Sequence, residues 1–185
     1  HGRDQGRELI LLYILQLINE HHQYGVGAFG RQTDLLQQHR EIGFQIAVIR
    51  QTCFGFQIDA DLDAAVAYVK KLDACNGKVV VGGFCWGGGI TNALAAEMGD
   101  AVQAGAPYYG VPAAPEKVSK IKAELVIHFA ETDPRINGTW AAYESGLKTH
   151  GVKSEAHFYA GTQHGFHNNS TPRFNQAAAD LSWSR

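Results

Sequence analysis

The sequence predicts an α/β protein: a mostly parallel sheet flanked by helices, with an atypical or incomplete N-terminal portion. Three observations carry this. From Ile58 onward, short apolar runs rich in β-branched residues alternate with helical stretches, the pattern of parallel strands joined by helices on both faces of a sheet. The residues with chemical potential fall at the carboxyl ends of the predicted strands, the edge at which open α/β sheets bind ligands. The first 56 residues break the pattern: they are rich in Gln and His, and all five prolines follow Phe56.

The elements read in order as follows. Leu9 to Ile18 is either a buried strand or a helix, Thr33 to Arg40 has a helical pattern, and Phe44 to Ile49 suits a strand. Asp59 to Leu72 reads as a helix, because Leu62, Val66, Val69 and Leu72 recur at spacings of three and four. Its acidic start (Asp59, Asp61, Asp63) and basic end (Lys70, Lys71) suit the helix dipole. Lys78 to Phe84 is a β-branched run and reads as a buried strand. Gly87 to Met98, rich in Ala and Leu, is the next helix, and Ala101 to Ala106 a short strand. Glu124 to Ala130 is a strand, Thr139 to His150 a helix capped by Gly151, and Ser154 to Tyr159 a further strand. Arg173 to Trp183 closes the series as a helix.

The chain has 185 residues, 45% hydrophobic and 18% charged, with a net charge of −2. That is ordinary globular composition and suits a single domain, 1–185, with an atypical segment over 1–57 and a motif-bearing region over 58–185. A nucleic-acid or anionic-membrane partner calls for a basic patch, and the charge balance gives no sign of one. The longest apolar stretch, Leu9 to Ile18, is interrupted by Gln16 and is far short of the roughly 20 residues that span a bilayer. The three cysteines, Cys53, Cys75 and Cys85, are an odd number without framework spacing. They read as reduced thiols of a cytoplasmic protein. No secretory leader is visible, and the first residue is His1 rather than Met, which allows for an upstream piece.

Gly83-Phe84-Cys85-Trp86-Gly87 follows a predicted strand and opens a predicted helix. This is the nucleophile-elbow pattern, with Cys in place of Ser. A turn so tight strains the nucleophile's backbone, and glycines on either side leave room that a Cβ would fill. The helix N-terminus favours negative charge and so a thiolate. The Trp86 amide is placed to stabilise an oxyanion. The plain alternative is that Cys85 is a small buried hydrophobe and the glycines permit close helix–sheet packing. Cys53 and Cys75 lack any comparable setting.

A nucleophile, acid and histidine in that chain order mark the α/β-hydrolase triad. Asp133 lies just past the strand that begins at Glu124, and His164 lies in a loop after the strand that begins at Ser154. Taken singly, Asp133 is a turn residue before Pro134 and His164 is one of nine histidines. Taken together, they form a nucleophile–base–acid series at one sheet edge. His164 would take the thiol proton and Asp133 would orient His164.

Four segments resemble the dienelactone hydrolase family: Gly83-Phe84-Cys85-Trp86-Gly87-Gly88-Gly89, Pro107-Tyr108-Tyr109-Gly110, Glu131-Thr132-Asp133 and Gln163-His164-Gly165-Phe166. The likeness runs from about Ile58 to Arg185. It implies a Cys85–His164–Asp133 triad that hydrolyses a small ester or lactone through a thioester, with no cofactor and no metal. It also implies that Tyr108, Tyr109 and Phe166 line the substrate pocket, although the two tyrosines could equally be core. Family members carry an N-terminal loop that supplies a second oxyanion amide and a glutamate. No matching motif precedes Ile58, and Glu8, Glu20 and Glu41 stand in no comparable context. Family members also use arginines to hold a substrate carboxylate, whereas here no arginine follows His164 until Arg173. The other reading is therefore a catalytically inactive remnant that binds a ligand or a partner. An incomplete sheet would leave an edge for a second copy to cover, so a homodimer is a further expectation.

Three other patterns carry little. Gly25-Val26-Gly27-Ala28-Phe29-Gly30 matches a dinucleotide fingerprint, but a poor strand precedes it and Arg50 stands where an acidic residue is needed. The same glycines could instead form the missing oxyanion loop or a linker. His21 and His22 are adjacent and point apart, so they make no metal site. Sequons at Asn137, Asn168 and Asn169 read as chance matches.

Overall fold

The computed structural model describes residues 10–14, 58–73 and 75–185. Their elements are β1 (Ile10–Ile14), α1 (Ile58–Val69), β2 (Val79–Phe84), α2 (Trp86–Glu97), β3 (Ala104–Tyr108), β4 (Glu124–Thr132), α3 (Pro134–Asn137), α4 (Trp140–Thr149), β5 (Ser154–Gln163) and α5 (Gln176–Trp183). Short 3-10 turns occupy Gly99–Ala101 and Pro115–Lys120. Within the first apolar run, Ile10–Ile14 form a strand, and the rest of that run lies outside the described residues. The stretches 33–40 and 44–49, the 25–30 glycines and Cys53 lie outside the described residues.

The five strands form one parallel sheet in the order β1-β2-β3-β4-β5. Alternation along each strand divides the side chains between two faces. Val79 and Val81 of β2 and Leu125, Ile127 and Phe129 of β4 join Leu62, Val66 and Val69 of α1. Leu94 of α2 and Tyr143 and Leu147 of α4 complete that core. The 4-3 spacing of Leu62, Val66 and Val69 thus puts all three, each at most 2% exposed, against the sheet. Each such side chain contributes about 1.5–3 kcal/mol by leaving water. The other face holds Tyr108, Tyr109, Ala130, Tyr159 and Phe166, covered among the described residues by Ala178 of α5.

Several boundaries differ from expectation, among them the end of α1 at Val69 rather than Leu72 and of β4 at Thr132 rather than Ala130. The starts of β3 and α5 differ for a local reason. β3 begins at Ala104 rather than Ala101, because the Gly99–Ala101 turn redirects the chain after α2. Gln103 then fastens the strand start: its Oε1 accepts from the Val79 N–H (2.6 Å) and its Nε2 donates to the Asp100 carbonyl (2.6 Å). α5 begins at Gln176 rather than Arg173, because Asn175 caps it, accepting from the Ala178 N–H at 3.0 Å. β5 runs four residues past Tyr159, to Gln163. Gly151, with φ +66°, ends α4 as its position predicted. No helix among the described residues is long and apolar enough to cross a membrane.

Candidate active site

The β2–α2 turn sets the site. Cys85 has φ 56° and ψ −113°, a left-handed backbone that costs a non-glycine residue on the order of 1–3 kcal/mol. The surroundings enforce it. The Cys85 N–H donates to the Tyr108 carbonyl at 2.9 Å, and the Cys85 carbonyl accepts from the Gly89 N–H at 3.1 Å. A Cβ on Gly83 would sit 2.2 Å from the Gly87 carbonyl oxygen, so only glycine fits there. A Cβ on Gly110 would meet the Gly88 carbonyl carbon, also at 2.2 Å. The loop after β3 therefore packs backbone to backbone on α2.

The turn lifts the Cys85 thiol to the carboxyl edge of the sheet, where two loops meet it. His164 Nε2 lies 2.8 Å from Cys85 Sγ. His164 Nδ1 lies 2.5 Å from Asp133 Oδ2. Asp133 is 6% exposed, and its other oxygen accepts a long hydrogen bond from the Ile136 N–H (3.4 Å). Asp133 is thus both the turn residue before Pro134, capping α3, and the partner of His164. The Cys85 hydrogen bond raises the His164 pKa above the ordinary imidazole value; burial opposes this and Asp133 reinforces it. A protonated His164 is favoured wherever the thiol is a thiolate.

Trp86 opens α2, where helix geometry leaves the first amides without carbonyl partners inside the helix. Its indole is half-buried against the core of the α1, α2 and α4 face. Tyr108, Tyr109 and Phe166 are all buried, at 4%, 2% and 0% exposed. Tyr109 comes nearest the chemistry, its ring centroid 4.9 Å from that of His164. It has a positive φ of 38°, and its N–H donates to the His128 carbonyl at 2.7 Å. Its hydroxyl pKa is raised, first by burial and then by the negative charge available at Cys85. Tyr108 stacks on His128, centroids 4.1 Å apart, and its hydroxyl donates to the Ser182 carbonyl at 3.1 Å. Burial pushes the Tyr108 hydroxyl up to about 12. Phe166 packs between Tyr109 and Tyr159.

Residues 29–185 match the model of the dienelactone hydrolase family. The chain belongs to the dienelactone hydrolase family. The match begins at Phe29, upstream of the Ile58 start to which the motif resemblance extends. Two relatives, each described as "Putative carboxymethylenebutenolidase", come from Saccharolobus solfataricus (31% identical over 124 residues, 66% of this chain) and Methylorubrum extorquens (30% over 141 residues, 70% of this chain). The chain spans about half their length, 48% of each. Among solved structures, a "Putative Dienelactone Hydrolase" from Klebsiella pneumoniae superposes with a TM-score of 0.74 at 17% identity. That superposition covers 95% of this chain and 83% of the other. A dienelactone hydrolase-like promiscuous phosphotriesterase from metagenomic libraries gives 0.67 at 16% identity, covering 95% and 82%. These likenesses show the α/β-hydrolase fold.

Two neighbours of this dienelactone hydrolase family site escaped the sequence reading. Arg173 is nine residues past His164 in the chain, yet its guanidinium lies over Gly165: a Cβ built there would be 3.8 Å from Arg173 Cζ. Arg173, the first arginine after His164 in the sequence, thus comes back beside the loop that carries His164. Glu131, in the Glu131-Thr132-Asp133 segment, accepts from the Gly161 N–H at 2.7 Å. Both contacts depend on how the 160–175 chain folds back, which no local pattern announces. Among the described residues, no three His, Cys, Asp or Glu side chains gather as a metal site would require.

Proposed function

We propose that this chain hydrolyses small esters or lactones, with Cys85 as nucleophile, His164 as base and acid, and Asp133 as the group that orients His164. The hydrogen-bonded series Cys85–His164–Asp133 at the sheet edge carries the reading. His164 takes the thiol proton, and the thiolate attacks the substrate carbonyl carbon. A C–S bond forms and the carbonyl electron pair moves to oxygen, where the Trp86 amide donates to it. The intermediate collapses, the C–O bond breaks, and the leaving alkoxide takes the proton from His164. Water then gives a proton to His164 and attacks the thioester. The acid departs, the C–S bond breaks, and the thiolate with protonated His164 is restored. Tyr109 forms one wall of the site. Arg173 supplies a cation at its rim, which suits substrates with a carboxylate near the ester.

The test is turnover of an activated small ester by the purified chain beside Cys85→Ala. Turnover that vanishes in the variant supports the reading. No turnover in a folded wild-type chain would favour a binding remnant, a reading motivated by the lack of an oxyanion-loop motif before Ile58. Loss of one oxyanion amide alone costs on the order of 100- to 1000-fold.

A further inference from the structure

The sheet is irregular between the strand ends that carry Asp133 and His164. β4 and β5 pair residue for residue from Leu125↔Ser154 to Ala130↔Tyr159, and the next pair is Thr132↔Gln163. β4 advances two residues over that step (130 to 132) and β5 four (159 to 163), so β5 bulges outward. Gly161, inside the bulge, has φ +69°. His164 follows the bulge directly, and Asp133 follows the regular side. The shape of the bulge therefore sets how His164 meets Asp133 and Cys85. Bulges beside active sites commonly re-aim a side chain in this way.

A small hydrogen-bond frame holds the bulge. Glu131 Oε2 accepts from the Gly161 N–H at 2.7 Å. The Glu131 N–H donates to Thr162 Oγ1 (3.2 Å), and that hydroxyl donates to the Tyr159 carbonyl (2.6 Å). On the opposite side, Asn137 Nδ2 donates to the carbonyls of Ala130 (2.9 Å) and Glu131 (3.0 Å), fixing the end of β4. Thr162 is 1% exposed, whereas Glu131 is exposed. The exposed Glu131 carboxylate makes a charge-assisted hydrogen bond to the bulge. If that bond is lost, water can solvate the Gly161 N–H, so the fold should persist while the bulge loosens. A 1 Å displacement near reacting groups costs up to about 100-fold in rate.

We propose that Glu131 is a positioning residue that holds His164 against Cys85 and Asp133 by clamping the β5 bulge. The proposal deepens the hydrolase reading above and rests on it for its catalytic consequence. The test compares the wild-type chain with Glu131→Ala and Glu131→Gln. The rate of Cys85 alkylation by iodoacetamide is followed by peptide mass spectrometry across about pH 5 to 9, because only the thiolate reacts. Urea midpoints and kcat and KM for an activated ester are measured beside it. In Glu131→Ala, the pH at which Cys85 becomes reactive should rise, and kcat should fall about tenfold with KM within about twofold. Glu131→Gln keeps an oxygen for the Gly161 N–H and should stay within about threefold of wild type. A wild-type alkylation profile in Glu131→Ala would overturn the proposal, whatever its urea midpoint. So would a Glu131→Gln as impaired as Glu131→Ala. If the wild-type chain turns over no ester, the hydrolase reading fails while the alkylation profiles still decide the role of Glu131.

Discussion

Cys85 Sγ and His164 Nε2 stand 2.8 Å apart, although 79 positions separate the two residues in the chain. Two different devices bring them together. Cys85 is raised by a strained turn that surrounding backbone holds in place. His164 is delivered by a strand that bulges just before it. The pair can move a proton only if both devices hold, and each can be tested separately.

Asp133→Asn isolates the orienting role. An amide oxygen can still cap α3 through the Ile136 N–H, but the negative charge opposite His164 Nδ1 is gone. Ester turnover should fall on the order of 10⁴-fold, as it does when the acid of a serine triad is neutralised. The thermal midpoint should change little. A variant that retains a tenth or more of wild-type kcat would remove Asp133 from the proposed mechanism.

The elbow predicts a contrast between two glycines. Gly83→Ala would drive a Cβ to within 2.2 Å of the Gly87 carbonyl oxygen, and the backbone there cannot give way. A loss of about 3 kcal/mol or more is expected, at the upper end for overpacking. Gly77→Ala meets nothing within 4 Å but must hold φ +85°, which costs about 1–2 kcal/mol. Urea denaturation of the two variants should rank them in that order. Equal losses would mean that the close approach at Gly83 relaxes.

From Ile58 onward most elements were legible, because apolar spacing follows the face each segment buries. Leu62, Val66 and Val69 mark α1 by period, and Val79 to Val81 mark β2 by composition. α5 starts at Gln176 rather than Arg173 because Asn175 is the residue whose side chain caps it, through the Ala178 N–H. Chain order and strand-end placement point in the sequence to Cys85, Asp133 and His164, and the structure brings these three side chains into hydrogen-bonding contact. Arg173 and Glu131 were not legible as neighbours of the site. Their contacts, to Gly165 and Gly161, arise from a folded-back loop and a bulge, and neither leaves a periodic trace in sequence. The family relationship reaches upstream to Phe29, where no single motif stands out.

Arg173 supplies a specificity test. Its guanidinium is exposed and lies by Gly165, and its charge is felt at the Tyr109 hydroxyl. If it engages a substrate carboxylate, Arg173→Gln should raise KM about three- to tenfold for an ester with a nearby carboxylate. The kcat for that ester should change little, as should both constants for a neutral ester of similar size. An equal effect on both substrates would assign Arg173 to loop structure instead.

His128 predicts a specific acid sensitivity. It is 1% exposed, its Nδ1 lies 2.7 Å from the Tyr159 hydroxyl, and its ring stacks on Tyr108 and His157. Burial, aided by the nearby His157, Arg185 and His167, lowers its pKa from 6.5 to about 3. The folded state therefore keeps His128 neutral where the unfolded chain would already be protonated. Between those two values the unfolded state binds the extra proton, so stability falls as pH falls. This contribution is fully present above about pH 6.5. It is lost at up to about 1.4 kcal/mol per pH unit below that, levelling off near pH 3. His128→Gln keeps a polar partner for the Tyr159 hydroxyl but cannot take up the proton. Unfolding free energies from urea titrations at about pH 4, 5, 6 and 7 should show a slope shallower in the variant by roughly that amount. Parallel slopes would mean that His128 is protonated in the folded protein, or that the Tyr159 side of the sheet opens to admit water before the chain unfolds.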